Sequence, residues 1–182
     1  MADYDFGLFS CLVVDDSSYM RTLMSASLRA IGVGNVKTVD DGGQGIDFLQ
    51  LVTSDPMKAG MQNVDIIFSN WQMSPVDGRM LLRWVRRHKE SPNRFIPFVM
   101  VTGYADREKV REARAMGATE MLAKPFSVVN LGQRLLQVVN RPRKFVHTNK
   151  YFGPDRRRNQ KEIPPGKDRR KNDERNIEVV HV

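Results

Sequence analysis

Cys11-Leu12-Val13-Val14-Asp15-Asp16 is a continuous apolar run that ends on two adjacent carboxylates. Unbroken rather than alternating apolar residues suit a strand covered on both faces, as in a parallel sheet flanked by helices. Beyond it, Ser17 stands where a helix N-cap is expected. Met20, Leu23, Met24 and Leu28 then recur at helical spacing until Gly32 and Gly34. The alternation repeats along the chain. Val36–Val39 reads as a strand, and Ile46, Leu49 and Val52 mark a helix closed before Pro56. Val64–Phe68 is the next strand, followed by a loop from Asn70 to Gly78 and a helix carrying Met80, Leu81, Trp84 and Val85. Phe95–Val101 reads as a strand with Pro97 near its start. Val110, Ala113 and Met116 mark a helix ended by Gly117. Met121–Ala123 is a fifth strand, and Val128, Leu131, Leu135 and Val138 form a last helical face. Five strand–helix pairs with short links predict an α/β fold, a doubly wound five-stranded parallel sheet. Functional residues of such sheets gather at the carboxyl ends of the strands, so Asp15, Asp16, Asn70, Thr102 and Lys124 are expected in one shallow cleft.

Composition narrows the class. The 182 residues are 41% apolar and 27% charged, ordinary for a globular chain. No apolar run reaches the length of a membrane span, and the first ten residues carry acids where a secretory leader carries positive charge. A single cysteine, Cys11, allows no internal disulfide, so a cytoplasmic protein is expected, with Cys11 a buried small hydrophobe. His88, His147 and His181 show no metal-ligand spacing. Of the 29 Lys and Arg residues, 13 fall after Asn140, with only six of the 21 acids; that stretch holds nearly all of the net charge of +8. It is poor in apolar residues. The expected organisation is therefore one domain over residues 1–140 and a flexible arginine-rich segment over 141–182. Within the domain, Trp84 is read as packing and Trp71 as partly exposed. Arg83, Arg86 and Arg87 are read as a solvated helix face.

The pieces VVDDSSYMR, the Asp41–Gly43 turn, NWQMSPVDG, VMVTGY and AKPF agree in order and spacing with CheY-like response-regulator receiver domains. The chain resembles that family over residues of about 8–140. The resemblance implies a non-enzymatic, single-domain member of a two-component, chemotaxis-type phosphorelay. Asp15 and Asp16 would hold Mg²⁺, Thr102 would sense a phosphoryl group, Lys124 would pair with it, and Lys124–Pro125 would be the family's often cis peptide. Two departures matter. Asn70 holds the phospho-acceptor position, and an amide oxygen is a poor nucleophile that gives no stable acyl phosphate. The same change removes one anionic ligand, so Mg²⁺ binding is expected to be weak or absent. Met121 stands where the family's switch has an aromatic ring, with Tyr104 a candidate to fill the gap. Asn70 is open to three readings: a natural receiver fixed in one state, an engineered block in an ordinary receiver, or a chain phosphorylated at another acid. All three predict no aspartyl phosphate at position 70.

The C-terminal segment carries a near-repeat. Gly153-Pro154-Asp155-Arg156-Arg157-Arg158-Asn159 returns as Gly166-Lys167-Asp168-Arg169-Arg170-Lys171-Asn172, with Tyr151 and Phe152 ahead of the first copy. Guanidinium forks bind phosphates and the O6/N7 edge of guanine, and stack on bases; an adjacent carboxylate accepts from guanine N–H donors. Two Asp-Arg-Arg copies therefore suit a ligand with two guanines and two phosphates, cyclic di-GMP. The candidate ligand residues are Tyr151, Asp155, Arg156, Arg157, Arg158, Asp168, Arg169 and Arg170. The segment is similar to the arginine-rich extensions of CheY-like proteins that bind this nucleotide and act on the flagellar motor, which would be the protein partner. Three other readings stand beside it: a solubilising or anion-binding tail, a nucleic-acid-binding tail, and Ile177–Val182 as a strand added to a partner's sheet. Nucleic acid is disfavoured, because acids interrupt the basic run and no recognition helix is visible. The remaining alternative is a receiver blocked at Asn70 that works through protein contacts around its fourth helix, fifth strand and fifth helix.

Overall fold

Five parallel strands in the order β2-β1-β3-β4-β5 form the centre of the computed structural model, which describes residues 5–104, 106–148, 151–155 and 178–180. The strands are β1 (Ser10–Val14), β2 (Asn35–Val39), β3 (Ile66–Asn70), β4 (Phe98–Thr102) and β5 (Glu120–Ala123). The helices are α1 (Ser18–Ala30), α2 (Gly42–Ser54), the short α3 (Pro56–Ala59), α4 (Gly78–Arg87), α5 (Arg107–Met116) and α6 (Val128–Asn140).

The unbroken apolar strands divide their residues between two cores, because successive side chains leave opposite faces of the sheet. Leu12, Val14, Ile67, Phe98 and Met100 join Phe48, Leu49, Leu81, Leu82 and Val85 on one side. Cys11, Val13, Ile66, Phe68, Val99 and Val101 join Met24, Leu28, Leu131, Leu135 and Val138 on the other. Each fully buried aliphatic or aromatic side chain contributes about 1.5–3 kcal/mol of transfer free energy. Side-chain caps set where the longer helices begin. Ser17, Asp41, Asp77, Asp106 and Ser127 each accept an orphan amide of the first turn, which fixes where the preceding loops, over the carboxyl end of the sheet, enter their helices.

Three local differences from the sequence reading have simple causes. β4 starts at Phe98 rather than Phe95, because Pro97 lacks an amide and the Ile96 carbonyl is taken by a side chain. α3 appears because Pro56 at its first turn is compatible with a helix and Asp55 caps it. Trp71 is buried, not partly exposed: its amide donates to the Val101 carbonyl at 2.8 Å and the indole joins the Leu81 side of the core.

Regular structure continues past Asn140. Strands β6 (Phe145–His147) and β7 (Phe152–Pro154) form an antiparallel hairpin, with Phe145 opposite Pro154 and His147 opposite Phe152. Strand β8 (Glu178–Val180) pairs with the other edge of β6, Val146 opposite Val179. The C-terminal strand thus adds to the chain's own sheet as an edge strand. Counting apolar residues within the segment missed this, because the surface it buries is shared with the domain it lands on. Phe145 and Phe152 are buried against Phe95 at centroid distances of 5.1 and 5.4 Å.

Arg86 lies beneath the hairpin, and it too departs from expectation. It is 0% exposed, whereas Arg83 and Arg87 on the same helix are solvated as expected. Its Nε donates to the Gly117 carbonyl at 2.9 Å, and its Nη1 donates to the Arg94 and Ile96 carbonyls at 2.8 Å each. The guanidinium lies 5.2 Å from the Phe145 ring centroid. Gly117 ends α5 at φ 97°, a left-handed turn that leaves room for the hairpin; a Cβ there would meet the Phe152 carbonyl at 3.0 Å. Gly117 leads into β5, and Arg94–Ile96 lead into β4, so the hairpin covers the amino end of the sheet. No helix of the described residues is long and apolar enough to cross a membrane.

Candidate functional site

At the carboxyl end, the five expected residues converge because each follows a strand. Asp15 and Asp16 follow β1, Asn70 and Thr102 end β3 and β4, and Lys124 follows β5. Lys124 Nζ donates to Asp15 Oδ2 at 2.7 Å and to Asn70 Oδ1 at 3.1 Å. Asn70 Nδ2 donates to Asp16 Oδ1 at 3.1 Å and to the Gln72 carbonyl at 2.7 Å. The second oxygen of Asp15 accepts from the Ser17 amide at 3.0 Å. Gly78 lets the loop after β3 fold back, since a Cβ there would collide with the Asn70 carbonyl. The Lys124–Pro125 peptide is cis.

The amide thus serves both neighbours: its oxygen accepts from the lysine and its nitrogen donates to the acid. A carboxylate at position 70 has no proton for Asp16, and would add a third negative charge to the cluster. With Asn70, one lysine stands against two acids. The chemistry available is correspondingly limited. No carboxylate at position 70 is available to attack phosphorus. A hard cation would find oxygen donors in Asp15, Asp16 and the Gln72 carbonyl, but Lys124 holds one Asp15 oxygen and the Asn70 amide nitrogen holds the carbonyl. The donors fit Mg²⁺ in kind and fall short in charge and freedom. Among the described residues, no group of three His, Cys, Asp or Glu side chains is placed to hold a metal ion.

Thr102 is buried. Its hydroxyl accepts from the Tyr104 amide at 3.1 Å and faces the Tyr104 carbonyl at 3.5 Å. Tyr104 does not fill a gap beside Met121: it is 68% exposed, with Lys109 Nζ 4.5 Å from its ring centroid. Met121 is half-buried and packs on the Leu81 side of the core.

Met121 also lines a groove of about 210 Å³ between α5 and α6, with Val110, Arg114, Glu120 and Arg134. The sequence reading did not single out Glu120. Its side chain is 4% exposed, and Arg143 reaches it at 3.0 Å from the link before β6. Arg134 of α6 stands 3.6 Å from the other carboxylate oxygen. An acid opening a strand flanked by apolar residues was the available signal; its two partners, 14 and 23 positions later, were not legible.

The candidate ligand residues are only partly in view. Tyr151 is half-buried, and its hydroxyl donates to the Pro154 carbonyl at 2.8 Å. Asp155 follows β7, its amide donating to the Lys144 carbonyl at 2.7 Å. Arg156, Arg157, Arg158, Asp168, Arg169 and Arg170 lie outside the described residues. The first Asp-Arg-Arg copy therefore begins at the amino end of the sheet, away from the Asp15–Asn70–Lys124 cleft at the carboxyl end.

Residues 11–136 match the family described as response regulator receiver domain. Vibrio cholerae chemotaxis protein CheY-3 is 32% identical over 131 residues, 71% of this chain and 91% of that protein. Chemotaxis protein CheY of Pseudomonas aeruginosa is 32% identical over 130 residues, 71% of this chain and 95% of that protein. The crystal structure of Vibrio cholerae CheY4 at pH 4.0 superposes with a TM-score of 0.59 at 29% identity, covering 71% of this chain and 98% of that one. The receiver domain of a Pseudomonas aeruginosa sensor histidine kinase, with a magnesium ion coordinated in its active-site cleft, gives 0.57 at 27% identity, covering 71% and 94%.

Proposed function

The chain belongs to the response regulator receiver family, and we propose that it is a cytoplasmic, non-enzymatic signalling protein that has exchanged its phosphorylation trigger for a nucleotide. In this reading the arginine-rich C-terminal segment binds cyclic di-GMP, and the bound state controls engagement of a protein partner such as the flagellar motor. One observation carries it: Asn70, at the acceptor position, is hydrogen-bonded to both Lys124 and Asp16. The cleft is satisfied without a phosphoryl group, which supports an input from elsewhere. The doubled Asp-Arg-Arg stretch supplies the chemistry for two guanines and two phosphates. The similarity to chemotaxis proteins supports the pathway. The groove between α5 and α6, with Arg114 and Arg134 on its walls, suits an acidic partner segment. Mg²⁺ binding at Asp15 and Asp16 is weak.

Calorimetric titration of the full chain with cyclic di-GMP, GTP and a generic DNA duplex at two salt concentrations tests the reading. The expected result is micromolar binding of the cyclic dinucleotide alone, lost when Arg156 and Arg169 are both replaced by alanine. Equal, salt-sensitive binding of all three ligands identifies a general anion-binding tail instead. Incubation with Mg²⁺ and acetyl phosphate followed by intact mass is expected to add no phosphoryl group; a stoichiometric gain overturns the loss of the trigger.

A further inference from the structure

Glu120 is a nearly buried carboxylate shared by two cations that belong to different parts of the molecule. Arg143 precedes β6 and is 14% exposed; Arg134 belongs to α6, lines the groove and is 39% exposed. Arg143 is the nearer, at 3.0 Å against 3.6 Å. Gln137 of α6 also turns its amide nitrogen toward Glu120, at 3.5 Å, and its amide oxygen accepts from Arg134 at 3.2 Å. A second contact joins the same parts: β7 presses on the turn between α5 and β5. A Cβ on Gly153 would stand 2.8 Å from the Gly117 Cα. The segment Gly117–Glu120 is thus touched by the C-terminal hairpin on one side and forms the groove wall on the other.

We propose that Glu120 is a joint between the C-terminal segment and the groove, in which Arg143 and Arg134 compete for one carboxylate. While Arg143 holds Glu120, Arg134 is only loosely engaged and its charge is available to an acidic segment in the groove. When Arg143 is drawn off, Glu120 recruits Arg134 and the groove becomes less basic. The first Asp-Arg-Arg copy begins directly after β7, so a ligand gripped there acts on the hairpin that Arg143 anchors. That last step rests on the proposed nucleotide reading; the competition itself does not.

The competition has a signature that simple scaffolding lacks, because loss of one cation tightens the other's hold. Hydrogen-exchange mass spectrometry on the full chain reads it. Arg143→Met is expected to slow exchange in α6 around Arg134, and Arg134→Met to slow exchange in β6 and β7. Each effect should be about fivefold, the low end of ordinary coupling between sites. Glu120→Gln should abolish both effects. Faster exchange at the distant element, or strictly additive effects in the double variant, overturns the joint, and the two arginine variants suffice if Glu120→Gln does not fold. In a second arm, cyclic di-GMP is added to the unsubstituted chain. Binding that changes exchange in α5 and α6 supports the joint, and binding that leaves them unchanged overturns its regulatory role. Absence of binding overturns the nucleotide reading and the regulatory step with it, while the arginine pair alone decides the competition.

Discussion

Replacing Arg86 by methionine tests the buried guanidinium on which Phe145 of the C-terminal hairpin packs. Methionine keeps the length and apolar stem of the side chain and removes every donor. The carbonyls of Gly117, Arg94 and Ile96 each lose a charge-assisted partner at 2.8–2.9 Å. A buried polar group left without its partner costs about 1–3 kcal/mol. The ring of Phe145 loses a cation as well, worth about 2 kcal/mol when desolvated. Against this, the charge itself is costly to bury: burial pushes the Arg86 guanidinium down to about 9, and Nη2 has no partner among the described residues. The expected net loss is about 3 kcal/mol. Urea unfolding followed by Trp71 and Trp84 fluorescence reads it as a midpoint lowered by roughly 1–3 M at ordinary urea sensitivity. Arg83→Met, an exposed arginine on the same helix, is the control and should stay within about 0.5 kcal/mol. If Arg86→Met behaves like the control, Arg86 is solvated and the hairpin does not rest on it.

Other outcomes follow from the same contacts. Asn70→Asp restores a nucleophilic carboxylate, so acetyl phosphate with Mg²⁺ should add one phosphoryl group by intact mass, where the unsubstituted chain gains none. Lys124→Met leaves the nearly buried Asp15 without its cation and should cost about 3 kcal/mol in urea unfolding, part of it regained in millimolar Mg²⁺. Ending the chain at Asn140 removes Phe145 and Phe152 and should cost about 3–5 kcal/mol, whereas ending it at Asp155 should cost far less. In alkali, burial pushes the Cys11 thiol from 9.0 up to about 12, so between those values the folded chain binds more protons and stability is lost as pH rises. Cys11→Ala should remove about 1.4 kcal/mol of that loss per pH unit in urea unfolding; an unchanged slope in the variant refutes the assignment.

The sequence by itself determined the five-stranded sheet, the helices that follow its strands and the cleft. Each rests on information local in the chain: apolar runs of strand length, helical spacing, a capping side chain, a polar residue directly after a strand. Asp15, Asp16, Asn70, Thr102 and Lys124 meet because a parallel sheet puts the ends of its strands side by side, and that rule needs no coordinates. What surrounds them required the tertiary structure. Thr102 turns its hydroxyl to Tyr104, Trp71 enters the core and Tyr104 leaves it, since these depend on backbone turns rather than residue types. Arg86 falls four residues after Leu82, on the buried stripe of α4, yet its charge argued for solvent; three carbonyls from separate segments reverse that preference. The hairpin after Asn140 was hidden for the same reason. Its own composition cannot close a core, and the apolar surface it covers, with Arg86 and Phe95, lies some fifty residues earlier. Contacts between residues far apart in sequence are decided by the folded surface, and neither local pattern nor composition carries them.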